Sequence, residues 1–99
     1  MKIGGQDIVI KNTNPTKAWG VILGVVRELW PGAITEREGA DAIVYRDDAA
    51  RTSWKTNGAT SENADRMIQV IVHLTSVTVV VGGPEGQAAA EALRVALTA

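Results

Sequence analysis

The segment at residues 67–83, MIQVIVHLTSVTVVVGG, constrains the fold more than any other part of the chain. Its β-branched residues favour strands, and the polar pair Thr75-Ser76 divides it into two halves. A turn at this pair predicts a hairpin in which Leu74 lies opposite Val77. The same register pairs Val72 with Val79 and Val70 with Val81 on one aliphatic face. That face must be buried against a second layer.

The other face of the predicted hairpin is mixed in character. It carries, in chain order, Gln69, Ile71, His73, Thr78 and Val80, with His73 expected in mid-strand opposite Thr78. Val9 and Tyr45 are expected to share this face. It is too apolar to stand wholly in water, so we expect it to be partly covered or to bind something.

The rest of the chain supplies three further strands and two long helices. The strands are expected in residues 7–12, 33–38 and 42–47, and the helices run from Pro15 to about Trp30 and from Pro84 onward. Asn14 precedes Pro15 as an N-cap, and Pro31-Gly32 ends the first helix. Gly39 is available for the turn between the second and third strands. Both helices are amphipathic, and the first should turn Trp19, Leu29 and Trp30 inward.

These elements predict one α+β domain that spans residues 1–99, a length sufficient for one core. We expect a two-layer sandwich, in which a mostly antiparallel five-stranded sheet carries both long helices on one face. The predicted order is strand, helix, strand, strand, short helix, strand, strand, helix.

The polar segment at residues 46–66 holds the short helix and one of the three tryptophans, Trp54. Asp47 or Asp48 can cap this helix, which should run to about Lys55 and end at Asn57-Gly58. Trp54 is placed to cover part of the mixed sheet face. The segment is therefore either a connector anchored by one aromatic side chain or one wall of a binding site.

Two glycines, Gly20 and Gly24, fall on the outer side of the first predicted helix. Each costs about 1 kcal/mol relative to alanine in a helix interior. Either they are tolerated there, or they allow a neighbouring helix to approach closely.

Composition excludes several classes of function. Ten lysines and arginines against 11 aspartates and glutamates give no field that would attract nucleic acid or an anionic membrane. No apolar run approaches the length of a membrane helix or a signal peptide. The absence of cysteine fits a reducing compartment, so we expect a cytoplasmic protein. We expect no cofactor and no metal site, because His73 is the only histidine.

No group of residues predicts catalysis. His73 lacks a neighbouring nucleophile, and the carboxylate pairs at Asp47-Asp48 and at Glu36 and Glu38 are explained by helix capping and solvated charge. The sequence VGGPEGQ at residues 81–87 joins a strand to a helix, as phosphate-binding loops do, but it lacks their spacing and their lysine.

We therefore expect a small non-enzymatic domain that binds a protein partner or itself, with a homodimer among the expected forms. The candidate ligand or partner face contains Tyr45, Trp54, Gln69, Ile71, His73, Thr78 and Val80, and the candidate helix contact contains Gly20 and Gly24. The alternative is a small-molecule site or a minor enzyme, with a pocket between the Trp54 segment and the open sheet face.

Overall fold

The protein folds as an α+β sandwich built on one antiparallel sheet. The computed structural model describes residues 5–99, and the first four residues of the predicted domain lie outside the described part. The strands are β1 (Gln6–Lys11), β2 (Ile34–Glu38), β3 (Asp41–Tyr45), β4 (Met67–Val72) and β5 (Ser76–Val81). The helices are α1 (Pro15–Leu29), α2 (Asp48–Asn57), α3 (Ser61–Asp65) and α4 (Pro84–Leu97). This confirms the predicted fold class, and α3 is an addition to the predicted order.

The sheet has five strands in the order β1-β5-β4-β3-β2, and every neighbouring pair is antiparallel. The β2–β3 and β4–β5 pairs are hairpins. Because β1 joins the far side of β5, it forms one edge of the sheet, and β2 forms the other. Gly39 has a φ of 62° in the β2–β3 turn, a left-handed conformation that favours glycine.

Both long helices pack on the same face of the sheet, as predicted. Ala18, Ile22 and Val26 of α1 and Ala89, Ala90 and Leu93 of α4 share one buried cluster with the aliphatic residues of the strands. The strand residues in this cluster include Ile10, Val44, Ile68, Val70, Val72, Val77, Val79 and Val81. Small residues on α4 let that helix lie close to the sheet.

The predicted register of the β4–β5 hairpin is wrong by two residues. Val72 lies opposite Val77 and Val70 opposite Val79, and the turn is centred on Leu74 and Thr75. Leu74, expected in the core, is 80% exposed. A shift of two residues preserves the alternation of side chains, so both registers bury the same valines, and periodicity alone does not separate them.

Two further local predictions are corrected. His73 does not lie in mid-strand, because it follows the end of β4 and pairs with Ser76 across the turn, where its N–H donates to the Ser76 carbonyl oxygen at 2.8 Å. Leu29, expected to point inward, is 43% exposed at the last residue of α1. Trp30 is buried as predicted, whereas Trp19 is partly exposed and stacks under the guanidinium of Arg37, 4.2 Å from its ring centre.

Candidate functional site

The second face of the sheet, opposite α1 and α4, is half covered by α2. Ala50 and Trp54 of this helix pack on Tyr45, Met67 and Val80, and these five residues form a second buried cluster. Trp54 and Tyr45 therefore lie in the interior. The covered half holds three of the predicted site residues, Tyr45, Trp54 and Val80.

A carboxylate on the edge strand β2 holds α2 in place. Arg51 Nε donates to Glu36 Oε2 at 2.8 Å, and Lys55 Nζ donates to the same oxygen at 2.9 Å. The buried Tyr45 hydroxyl donates to Glu36 Oε1 at 3.3 Å. The hydrogen bonds from Lys55 and Arg51 lower the pKa of Glu36 to about 2, and burial is the main cause of the raised pKa of Tyr45. Glu36 is thus ion-paired rather than simply solvated, which corrects the prediction from sequence.

Arg51 and Lys55 stand four residues apart on α2, so they share one side of the helix and reach the same carboxylate. That spacing is the signal by which the sequence could have revealed this anchor. It was missed because nothing in the sequence shows that β2 lies beside α2.

A buried asparagine ties α2 to α3. Asn63 accepts a hydrogen bond from the Ser53 hydroxyl at 2.7 Å and donates to the carbonyl oxygens of Ser53 and Gly58 at 3.2 and 2.9 Å. The segment at residues 46–66 is therefore held by an aromatic residue, a carboxylate and an asparagine side chain. These three contacts hold the segment against the sheet.

The other half of this face is not covered by any described element. Its centre is a row of three residues across neighbouring strands, Val9, Thr78 and Ile71. His73 lies at its end, where Nε2 is 3.1 Å from Thr78 Oγ1. We call these four residues the open strip. Val9 is 54% exposed, and Ile71 and Thr78 are half-buried.

The row continues into acidic residues on the β2 side of the sheet. Asp41 lies opposite Ile71, and Glu38 lies opposite Asp41. Gln69 is buried beside them, and its Nε2 donates to both carboxylate oxygens of Asp41 at 3.1 and 3.2 Å. Gln69 Oε1 is buried and has no hydrogen-bond partner among residues 5–99. The structure thus brings Ile71, His73 and Thr78 together at the open end. Gln69 lies between them and the covered half, because its cross-strand partners are Ile43 and Val80 of the Trp54 cluster.

A cleft of about 510 Å³ lies between α2 and the β2–β3 hairpin. It is lined by Glu36, Ile43, Tyr45, Trp54, Lys55, Gly58 and Ala59. Its volume is in the range of small-molecule sites. However, its charged groups are already paired with each other, and His73, Gln69 and Thr78 are not among its lining residues. The cleft therefore gives a ligand few free polar contacts.

The start of α4, where the sequence suggested a weak phosphate-binding loop, is occupied by a carboxylate of the protein itself. Asp65 Oδ1 accepts a hydrogen bond from the Glu85 N–H at 2.8 Å. A side chain at Gly83 would collide with Asp65, and one at Gly82 would collide with Ala64. The glycines are needed because α3 packs closely here, and Asp65 takes the place that an anion would occupy.

Gly20 and Gly24 lie on the exposed side of α1, as predicted. A Cβ at either position would have no atom within 4 Å apart from its chain neighbours and the backbone of its own helix. Neither glycine is needed for packing among the described residues. Either they allow another chain to approach α1 closely, or they have no packing role.

Comparison with known proteins does not identify the chain. No protein family matches it, and no curated protein or solved structure matches it significantly. We therefore infer function from the geometry of the second sheet face.

Two further findings concern the described part of the chain. No group of three or more histidine, aspartate and glutamate side chains in residues 5–99 is arranged to hold a metal ion. Over the same residues, every helix is too short or too polar to cross a membrane.

Proposed function

We propose that this protein is a small non-enzymatic domain that acts by binding a protein chain, itself or another, through the open strip and the adjoining edge strand β1. The observation that carries the proposal is the unequal covering of the second face. Trp54 and Ala50 shield one half, whereas Val9 remains 54% exposed in the other half.

The character of the open strip favours a protein partner over a small molecule. The strip crosses three strands on the surface of the sheet, and its apolar members alternate with a hydroxyl and an imidazole that can form hydrogen bonds. Protein interfaces likewise combine apolar contacts with direct hydrogen bonds. The strip also adjoins β1, which among residues 5–99 has a strand partner on one side only, so backbone pairing can add to side-chain contact.

The test compares two valines of nearly equal exposure. Val9 lies in the open strip, and Val95, 56% exposed, lies on α4 in the opposite layer. We expect Val9→Lys to abolish association, whereas Val95→Lys leaves it unchanged. Both variants should keep the wild-type circular dichroism spectrum, because both side chains are largely in water.

Two measurements decide the outcome. Sedimentation velocity over a hundredfold concentration range reports self-association, and quantitative comparison of proteins recovered with each variant as bait reports other partners. The proposal predicts an association shared by the wild type and Val95→Lys and lost in Val9→Lys. The absence of association in the wild type, or equal association in both variants, would overturn it.

The proposal includes a cytoplasmic location, supported by a chain without cysteine. Fractionation of cells that express the full-length protein tests this point. Recovery in an oxidising compartment would contradict it.

A further inference from the structure

The two edges of the sheet differ in how they are protected against pairing. Three of the five residues of β2 are charged, namely Glu36, Arg37 and Glu38. Charged side chains on an edge strand discourage another strand from adding to it. In contrast, β1 carries charge only at Asp7 and Lys11, on either side of the apolar run Ile8-Val9-Ile10. The edge at β1 is thus the one open to pairing.

Hydrogen bonding within the sheet shows which backbone groups of β1 are free to pair. Because the Ser76 carbonyl accepts from His73, Ser76 directs its backbone groups toward β4. Alternation along β5 then directs those of Val77 and Val79 toward β1, where they face Ile10 and Ile8. The remaining residues of β1, Asp7, Val9 and Lys11, direct their N–H and C=O groups outward.

The sequence of this edge is complementary to itself. In an antiparallel pair of β1 strands centred on Val9, Val9 faces Val9, Ile8 faces Ile10, and Asp7 faces Lys11. Both charged contacts join opposite signs, and each exposed valine covers the other. Within residues 5–99, the structure shows no ion pair at Asp7 or Lys11.

We propose that two copies of this chain associate through β1 in this register, about a two-fold axis perpendicular to the sheet. Each copy would contribute its five strands to one continuous antiparallel sheet. The inference rests on the proposed function and names its partner as a second copy. This axis places both open strips on the same side of the joined sheet. The two strips meet where Val9 of one copy lies opposite Val9 of the other.

The charged pairs give this contact its register. A slip of two residues would place Asp7 opposite Val9 in one direction, or past the end of the partner's β1 in the other. In either case the Asp7 carboxylate would no longer lie opposite Lys11. Cross-strand pairs of opposite charge stabilise a sheet, and like charges directly opposite destabilise it. The register is therefore testable by charge reversal alone, without disturbing the core.

The experiment uses Asp7→Lys and Lys11→Asp, separately, mixed and combined in one chain. Each single variant places two like-charged contacts at the interface, and its dissociation constant should rise about tenfold. Mixing the two single variants pairs lysine with aspartate at both contacts, so the mixture should associate as tightly as the wild type. The double variant Asp7→Lys/Lys11→Asp should also recover association.

Glu28→Lys and Lys17→Glu serve as matched controls. They change the net charge by the same amounts on the exposed side of α1, beside Gly20 and Gly24, and should leave the dissociation constant unchanged. Sedimentation velocity and native mass spectrometry provide the measurements, and circular dichroism establishes that each variant is folded.

The outcomes separate this inference from the proposed function. A monomeric wild type at all concentrations overturns the self-pairing, and the proposed function then stands or falls on a partner lost by Val9→Lys. A dimer that responds to the α1 controls, or that is not restored in the mixture, overturns the β1 interface. Restoration in the mixture supports it, because no foreign partner would distinguish mixed from separate variants.

Discussion

The two faces of the sheet are covered in different ways. On one face, α1 and α4 cover the strands along their length, and the contacts in the core between them are apolar. On the other, the ten-residue helix α2 covers one end, and ion pairs and an asparagine side chain hold it there. A short polar helix buries too little apolar surface to remain in place by packing alone. The ion pairs and hydrogen bonds of α2 supply the stability that its small apolar cluster lacks.

The largest expected effect is that of Trp54→Ala, which removes the main apolar contact of α2. We expect a loss of about 3 kcal/mol in the free energy of unfolding, because a large buried aromatic side chain is deleted. Hydrogen exchange should accelerate first in residues 48–57, before the amides of α1 and α4 are affected. Uniform acceleration throughout the chain would show that the two faces do not unfold separately. Val95→Ala provides a surface control.

A neighbouring pair of valines on β5 compares the two faces directly. Val79 lies in the core beneath α1 and α4, and Val80 lies beneath α2. We expect Val79→Ala to cost about 2 kcal/mol and Val80→Ala about 1 kcal/mol, because the smaller helix can shift to fill the space. Urea denaturation measures both losses in the free energy of unfolding, provided that the dependence on urea concentration has the same slope for both variants. An equal or larger loss at Val80 would mean that the α2 side is as tightly packed as the helix side.

Gly20→Ala combined with Gly24→Ala tests the outer surface of the helix layer. Both positions are exposed and have room for a Cβ, so the double variant should stabilise the monomer by about 1.5 kcal/mol. Thermal unfolding at two protein concentrations checks this. A loss of stability that appears only at the higher concentration would instead place a second chain against α1.

Glu36→Gln should have a small effect on the free energy of unfolding, about 1 kcal/mol at neutral pH, because its ion pairs are partly exposed. The pKa of Glu36 is lowered to about 2, so its contribution is complete above the usual carboxyl pKa near 4.5 and is lost as pH falls toward 2. The stability difference between wild type and Glu36→Gln should therefore shrink over that interval. A difference independent of pH between 6 and 2 would contradict the ion-pair anchor.

Sequence reasoning reached the fold but only part of the candidate site. Asn14 caps α1 and Asp47 caps α2, as predicted, because capping depends on residues within one turn of each other. The prediction missed α3, a five-residue helix with a polar sequence and no apolar period. It also placed His73 and Thr78 with Trp54, whereas these two residues lie in the open strip, because α2 covers one end of the strands only.

What the sequence determined by itself is the alternation of side chains along each strand and helix. That alternation decides which residues share a face, and it remains the same when a hairpin shifts by two residues. Tertiary structure alone decided that β1 lies at an edge, that Glu36 meets Arg51 and Lys55, and that Val9 stays uncovered. These are contacts between residues far apart in the chain, and no local period encodes them.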